Sequence, residues 1–184
     1  NPLPYQKLDT LGLPALSGER VIPSIIVGNS GYPTNNHLDA VDYLIRNNVQ
    51  ANLRIPVSYG DKGYVKFLKK TLAEYTLGSV EFIDRYMSFD EYLGFLNDAD
   101  ALIMNNIRPQ GYGNVFMMLY LGKPVFLNGN NISLPDLEKN GIMTNDWAEL
   151  KSTINVSFAE RNKRAIINLL SHERLLEIYR DLFS

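Results

Sequence analysis

The sequence of 184 residues contains no cysteine. This absence excludes a disulfide scaffold, a cysteine-ligated zinc, an iron–sulfur cluster and a thiol nucleophile, and it favours a reducing, cytoplasmic compartment. A basic excess is also missing, because 18 Lys and Arg stand against 20 Asp and Glu for a net charge of −2. The chain is therefore not expected to bind nucleic acid. Neither a pair of His residues at ligand spacing nor an acidic cluster is present, so no metal and no cofactor are predicted.

Long apolar runs are absent as well. The most apolar stretch, 115–127, is interrupted by Gly122, Lys123 and Pro124, and a membrane span needs roughly 20 apolar residues. No transmembrane segment is predicted. The N-terminus is polar and rich in proline, which excludes a signal peptide at this position. Because the chain begins with Asn, we expect a trimmed protein or an excised domain of a longer one.

Short apolar runs alternate with helical patterns along the chain. Strands are predicted at 24–27, 51–57, 80–83, 101–104 and 125–127, with a brief sixth near 142–143. This alternation predicts an α/β fold with a doubly wound parallel sheet of the Rossmann-like type. After Asp146 the pattern predicts additional C-terminal helices at 147–154, 158–170 and 173–183. The predicted division is a linker at 1–23, a Rossmann-like sheet domain at 24–146 and a helical segment at 147–184.

The sequence also predicts where some helices begin and end. Thr34 or Asn35 is predicted to cap the first helix, and Ser88 the helix after the third strand. Gly122, followed by Lys123 and Pro124, is predicted to end a helix in the left-handed conformation.

Candidate binding loops follow from the predicted sheet. Ligands of open parallel sheets bind beyond the carboxyl ends of the strands, where the strand order reverses. The loop after the first strand carries Gly28, Asn29, Ser30 and Gly31. It matches neither a dinucleotide fingerprint nor a nucleophile elbow, since residue 32 is Tyr. Phosphate contact by Asn29, Ser30 and Gly31 is our preferred interpretation; a purely structural turn and, less favoured, a nucleophile are the alternatives.

The loop after the fourth strand opens a helix with two glycines. Gln110, Gly111, Gly113 and Asn114 lie at this helix start, where backbone N–H groups and the helix dipole favour an anion. The two glycine loops together predict a seat for a nucleotide diphosphate that needs no metal, although the glycines could also be turn residues only. Gly113 is predicted to be the least replaceable residue of its loop.

Three other side chains are of a type that could bind a ligand or take part in catalysis. His37 lies in the first turn of the first helix and is the weak candidate for a catalytic or phosphate-contacting residue; the alternative is a structural histidine. Tyr59, after the second strand, either lines the cleft or packs. His172 is interpreted as structural.

A set of residues between about 24 and 130 follows a pattern known from sugar transferases. They are Val27 to Gly31, Asn36 and His37, Pro56 and Tyr59, Phe89 and Asp90 with Tyr92 and Leu93, Gln110 and Gly111 with Gly113, and Gly122 with Pro124. In this pattern the chain resembles the C-terminal half of a GT-B glycosyltransferase. More specifically, it is similar to the bacterial 4-alpha-L-fucosyltransferase family, whose members transfer TDP-N-acetylfucosamine to a lipid-linked acceptor in cell-envelope polysaccharide synthesis.

The resemblance implies a donor-binding domain for TDP- or another NDP-sugar, with Asn29, Ser30, Gly31, His37, Tyr59, Gln110, Gly111, Gly113 and Asn114 as its nucleotide-sugar-binding residues. An N-terminal half that binds a lipid-linked or glycan acceptor would be missing from this chain. That half would supply the general base and any peripheral attachment to the inner face of the cytoplasmic membrane. Two departures are visible. Gln110 and Met118 stand where many retaining GT-B enzymes carry a Glu-x7-Glu motif, and the basic residue often found after the first strand of such halves is absent.

Two alternatives stay open at the sequence level. One is a sugar-nucleotide enzyme of another kind, such as an epimerase-like half. The other is a non-catalytic binding or interaction module that keeps the sheet without the chemistry.

Overall fold

The computed structural model describes residues 20–150 and 158–171, together with Leu176 and Arg180. Within them, five strands form one all-parallel sheet in the order β3-β2-β1-β4-β5. The strands are β1 Ser24–Val27, β2 Asn52–Pro56, β3 Val80–Ile83, β4 Ala101–Met104 and β5 Val125–Leu127. In register, Ile25 of β1 pairs with Leu53 of β2 on one side and with Ala101 of β4 on the other. This is the doubly wound parallel sheet that the sequence predicts.

Helices connect the strands. The described residues form six α-helices: α1 His37–Arg46, α2 Lys62–Thr71, α3 Phe89–Asn97, α4 Tyr112–Tyr120, α5 Leu134–Lys139 and α6 Ala159–Leu169. Short 3-10 turns lie at Pro33–Asn35, Leu72–Glu74 and Trp147–Glu149. No helix in this described part of the chain is long and apolar enough to cross a membrane.

The core lies on both faces of the sheet. Side chains of β1 alternate between the two faces, so Ile25 packs with Leu44 of α1 and Leu68 of α2, while Ile26 packs with Leu93 of α3 on the opposite face. Ile25 and Ile26 are both fully buried. A strand covered on both faces needs a continuous apolar run rather than an alternating one, which is why these four-residue runs are readable from the sequence.

The predicted element boundaries are close to those observed. The bounds of β1, β3, β4 and β5 are those predicted, and β2 begins and ends one residue inside its predicted range. The sixth strand near 142–143 is wrong. In its place, Asn145 makes an isolated parallel bridge to Phe126, which is too short to count as a strand.

Helix ends were predicted with mixed success. Ser88 caps α3 as predicted, accepting from the Glu91 N–H while the Glu91 carboxylate accepts from the Ser88 N–H. The predicted cap of α1 at Thr34 or Asn35 is wrong, because Pro33–Asn35 forms a 3-10 turn and Asn36, at φ 49°, becomes the cap. Gly122 has φ +75° after α4, which confirms the predicted left-handed end.

The C-terminal region joins the same core. Ile166 of α6 is buried in the cluster that contains Met118 of α4. The predicted helices at 147–154 and 158–170 correspond to the turn Trp147–Glu149 and to α6. Residues 1–19 of the predicted linker, His172 and nearly all of the last predicted helix lie outside the described residues. The division of the chain into three parts therefore stays a prediction.

Candidate functional site

The strand order reverses between β1 and β4, which are neighbours in the sheet. The chain leaves β1 towards α1 on one face and leaves β4 towards α4 on the other face. The loops that follow these two strands therefore face each other across a crevice at the carboxyl edge of the sheet, where ligands of such folds bind. These are the loops from which the sequence predicts a binding site.

A buried asparagine holds the loop after β1 in shape. The Asn35 side chain is fully buried. Its Oδ1 accepts a hydrogen bond from the Asn29 N–H at 3.1 Å. Its Nδ2 donates to the backbone oxygens of Ser30 and Tyr32 at 3.0 and 3.2 Å, and lies 3.0 Å from the Ser30 Oγ. The Asn29 N–H, one of the predicted phosphate donors, is thus already engaged, and Ser30 is fully buried.

Gly31 joins the β1 loop to the loop after β2. Its N–H donates to the Tyr59 carbonyl at 2.8 Å, and its own carbonyl accepts from the Asp61 N–H at 3.0 Å. A Cβ on Gly60 would lie 2.4 Å from the Gly31 carbonyl carbon, so the two backbones are in direct contact. The predicted Gly31 N–H donor is consequently used within the protein.

The Gln110 side chain links the loop after β4 to the loop after β1, and Asn29 extends this link to the loop after β2. Its Nε2 donates to the Asn29 Oδ1 at 3.1 Å and lies 3.4 Å from the Ser30 Oγ. Its Oε1 accepts from the Thr34 hydroxyl at 3.0 Å. The Asn29 Nδ2 in turn donates to the Tyr59 hydroxyl at 3.0 Å. The structure therefore brings together four predicted site residues, Asn29, Ser30, Tyr59 and Gln110; their part in binding a nucleotide sugar stays a prediction.

The start of α4 is the open part of this region. Gly111 caps the helix at φ +66°, and a Cβ there would lie 2.7 Å from the Met104 Cε and 2.9 Å from the Asn29 Cγ. A Cβ on Gly113 would meet no atom of the described residues within 4 Å. The described fold therefore requires glycine at Gly111 but not at Gly113, where a requirement for glycine would point to a ligand.

Backbone donors remain at this helix start. The Asn114 N–H donates to the Gly111 carbonyl at 2.9 Å, and the Asn114 side chain bonds the Tyr92 hydroxyl. The first N–H groups of a helix have no partner within the helix. For the Gly113 N–H, no acceptor within hydrogen-bonding distance is found in the described part of the chain. This N–H is one of the predicted phosphate donors that remain available, and the Gly111 N–H, which likewise has no acceptor among the described residues, is another.

His37 lies beneath the β1 loop and not in the crevice. Its side chain is fully buried, its Nδ1 is 3.1 Å from the Tyr64 hydroxyl, and its Nε2 has no hydrogen-bond partner among the described residues. Burial lowers the pKa of His37 to about 4, so the ring is neutral near pH 7. A Cβ on Gly28 would lie 2.6 Å from this Nε2. Contact with a ligand, which stays a prediction, would require the loop to move.

Further tyrosines lie near Tyr59, and sequence analysis singled out only Tyr59 among them as a site candidate. Tyr32 meets Tyr59 edge to face, with ring centroids 6.4 Å apart. Burial raises the pKa of Tyr92 to about 12, so its hydroxyl keeps its proton and can both donate and accept. Such rings offer flat surfaces for a base or a sugar.

A second concavity lies beside the crevice, at the ends of β4 and β5. It has a volume of about 300 Å³ and is lined by Asp39, Tyr43, Asn105, Asn128, Gly129 and Trp147. Asn36 separates it from the β1 loop, since Asn36 and Asn105 exchange side-chain-to-backbone hydrogen bonds of 2.8 and 3.1 Å. Sequence analysis missed this groove. The available signal was the Asn-Asn pairs after β1, β4 and β5, at 35–36, 105–106 and 130–131.

Ionisable side chains are sparse throughout the region. Across residues 20–150 and 158–171, no three His, Asp or Glu side chains are grouped so that they could hold a metal ion. That nucleotide binding needs no metal stays a prediction.

Comparison with known proteins gives one family match and two informative structural likenesses. The model of the family described as 4-alpha-L-fucosyltransferase, glycosyl transferase group 56, matches residues 14–169. AviGT4, a glycosyltransferase involved in avilamycin A biosynthesis, superposes with a TM-score of 0.60 at 16% identity, over 92% of this chain and 54% of its own. The N-terminal domain of Candida albicans trehalose-6-phosphate phosphatase superposes with a TM-score of 0.56 at 12% identity, over 90% of this chain and 41% of its own.

These structural likenesses establish the fold alone, because the identities are low. The chain spans about half the length of AviGT4. It shares a Rossmann-like α/β fold with the part of AviGT4 that it covers.

Proposed function

This chain belongs to the 4-alpha-L-fucosyltransferase family, glycosyl transferase group 56, and on that premise we propose that it is the donor-binding half of a glycosyltransferase. In this proposal it binds the nucleotide diphosphate of a TDP- or other NDP-sugar. The enzyme then transfers a deoxy-amino sugar or similar hexose to a lipid-linked or glycan acceptor. The acceptor half and the general base belong to the part of the enzyme that this chain does not contain. The cytoplasmic location and the peripheral membrane contact proposed for the enzyme would come through that half.

The open start of α4 is the observation that carries the proposal. Glycosyl transfer builds negative charge on the departing diphosphate, and preorganised N–H donors stabilise that charge in the transition state. Gly113 places an N–H at the positive end of a nine-residue helix, with free space beside it. The helix dipole contributes roughly 0.3–2 kcal/mol to holding an anion there.

The polar network beside α4 supports the same function. Gln110 and Asn29 close the crevice floor through side-chain hydrogen bonds, so the seat is held rigid before a ligand arrives. Preorganised donors lose little free energy to ordering when they bind. Because the seat uses neutral donors and a helix dipole, we propose that it holds the diphosphate without a divalent cation.

Titration calorimetry of the 184-residue chain with TDP, UDP and GDP tests the proposal. We expect weak binding that EDTA does not change and that favours TDP. The chain alone should show no transferase activity, since half a cleft does not exclude water from the reacting sugar. A strict requirement for Mg²⁺ or Mn²⁺, or robust sugar transfer by the chain alone, would contradict the proposed site.

The Gly113→Val variant tests whether the nucleotide diphosphate binds at the start of α4. A valine there would occupy the open space at the helix start, and we expect nucleotide affinity to fall by at least about tenfold, or 1.4 kcal/mol. Gly94→Val is the matched control, because Gly94 also lies in a helix with nothing within 4 Å of its Cβ position but belongs to α3, outside the proposed seat. If both variants bind nucleotide as well as the parent, the diphosphate is bound elsewhere. That result would also leave open a non-catalytic module.

A further inference from the structure

The groove at the ends of β4 and β5 is shaped independently of the diphosphate seat. Its volume of about 300 Å³ is at the lower end of the range of small-molecule sites. One wall comes from α1, through Asp39 and Tyr43, and the floor from the loops after β4 and β5, through Asn105 and Asn128. Trp147, 20 residues beyond β5, closes the groove.

The aromatic wall of the groove is rigid. Tyr43 and Trp147 meet edge to face, with ring centroids 5.1 Å apart and planes at 79°. The Tyr43 hydroxyl donates to the Trp147 carbonyl at 2.7 Å, and the Trp147 Nε1–H donates to the Leu127 carbonyl at 2.7 Å. Because both polar groups are satisfied within the protein, the aromatic surface that lines the groove is apolar and fixed in orientation.

The polar side of the groove is also preorganised, and it has unused capacity. The Asn128 Nδ2 donates to the Asn105 Oδ1 at 2.7 Å, and the Asn128 Oδ1 accepts from the Asn130 N–H at 2.9 Å. These bonds leave the second hydrogen of Nδ2 free to donate. The Asp39 carboxylate, on an exposed residue, has no hydrogen bond or ion pair within the described residues. The groove therefore offers a donor and a charged acceptor beside a flat apolar surface.

This combination favours a particular ligand chemistry. A sugar hydroxyl both donates and accepts, so it can bond a carboxylate and a carboxamide at once, and the bond to the carboxylate is the stronger one. The C–H face of a sugar ring is apolar and gains free energy when it covers an aromatic side chain. A phosphate is disfavoured, because Asp39 would repel it and none of the lining residues within the described part of the chain is a Lys or Arg that could offset that charge.

We infer that this groove is a saccharide-binding subsite for an uncharged sugar ring, separate from the diphosphate seat at α4. The binding of a sugar here is independent of the proposed donor function.

Trp147 is the single tryptophan of the sequence, so its fluorescence reports on this groove. The chain is titrated with methyl β-D-glucoside and with N-acetylglucosamine, and each titration is repeated by calorimetry. We expect a saturable shift in Trp147 emission with an affinity in the millimolar range, about −4 kcal/mol. Saturating TDP should leave that shift unchanged.

Two variants of α1 test the part played by the carboxylate. Asp39→Asn keeps the shape of the side chain but removes its charge, and we expect sugar affinity to fall by at least about fivefold, since charge-assisted hydrogen bonds are roughly twice as strong as neutral ones. Asp42→Asn is the matched control, because Asp42 lies on the same helix and pairs with Arg46 at the surface at 2.8 Å. Its affinity should equal that of the parent.

Several outcomes would overturn the inference. The first is that neither sugar binds saturably, and the second is that calorimetry detects binding without a change in Trp147 emission. The third is that the Asp39→Asn variant binds the sugars as tightly as the parent. Binding of choline in place of the sugars would identify a cation site. Displacement of the sugar by TDP would make the groove part of the nucleotide site. If the chain binds the sugars but does not bind TDP, the result counts against the proposed donor function and not against the inference that the groove binds a sugar.

Discussion

Replacing Gly111 with alanine should damage the fold, whereas the same change at Gly113 should not. Gly111 has φ +66°, and a residue with a Cβ is less stable in that left-handed conformation by about 1–2 kcal/mol. Gly113 lies in the first turn of α4, and a Cβ there would meet nothing within 4 Å. The two glycines are two residues apart and differ in what surrounds them.

Contacts set the rest of the cost at Gly111. A new Cβ would lie 2.7 Å from the Met104 Cε and 2.9 Å from the Asn29 Cγ. The methionine end is flexible and can move away cheaply. The Asn29 amide is held by Tyr59 and Gln110, so moving it weakens bonds that contribute about 1 kcal/mol each. Alanine also restricts the unfolded chain, which offsets about 0.4–1 kcal/mol. The net loss of unfolding free energy for Gly111→Ala is about 2 kcal/mol.

Urea unfolding followed by circular dichroism measures this loss. Gly111→Ala should lower the unfolding midpoint without changing the slope, while Gly113→Ala should match the parent or be more stable by a few tenths of a kcal/mol. A Gly111→Ala variant within about 0.5 kcal/mol of the parent, or a Gly113→Ala variant less stable than it, would refute the reasoning. The first result would mean that the loop relaxes; the second would mean that Gly113 is needed by the fold itself.

Two further predictions concern stability. In thermal melts, Gly122→Ala should lower the free energy of unfolding by about 1 kcal/mol, because Gly122 ends α4 at φ +75° and the added Cβ would lie only 3.2 Å from the Ala159 Cβ. Gly94→Ala should instead raise the free energy of unfolding by about 0.5–1 kcal/mol, because Gly94 lies in the interior of α3 with open space around it. Equal effects of the two substitutions would contradict this account. His37 has a folded pKa lowered from 6.5 to about 4 by burial, so the unfolded chain binds the extra proton between those values. As far as His37 is concerned, the free energy of unfolding should therefore be highest above pH 6.5 and should fall by up to about 3 kcal/mol as the pH drops to 4. In urea melts at a series of pH values, a His37→Gln variant should lack this pH dependence. An unchanged pH dependence in the variant would assign the effect to other groups.

Sequence reasoning selected the loops of the candidate site, but it did not predict which N–H groups in those loops are engaged within the protein. The loops after β1 and β4 could be found, because the alternation of strands and helices implies where a parallel sheet reverses its order. Which N–H groups in those loops remain free depends on partners distant in the chain. The Gly31 N–H donates to the carbonyl of Tyr59, which is 28 residues further along the chain. No pattern of neighbouring residues predicts that hydrogen bond.

The sequence by itself determined the elements that depend on local conformation and burial pattern. Continuous apolar runs such as 101–104 and the cap at Ser88 are recognisable because strand periodicity and capping act over a few residues. Gly122 was recognisable for the same reason, since only glycine readily takes a left-handed helix end. These features define the doubly wound sheet and its order along the chain.

Only the tertiary structure decided how the loops are used. It buried His37 beneath Gly28, which makes the ring neutral, and it placed Trp147 against Tyr43 to form a groove. Burial and long-range contacts depend on how distant segments pack together, and their free energies are not encoded in the spacing of neighbouring residues. For that reason the residues that shape both candidate sites became visible only once the sheet had brought the loops together.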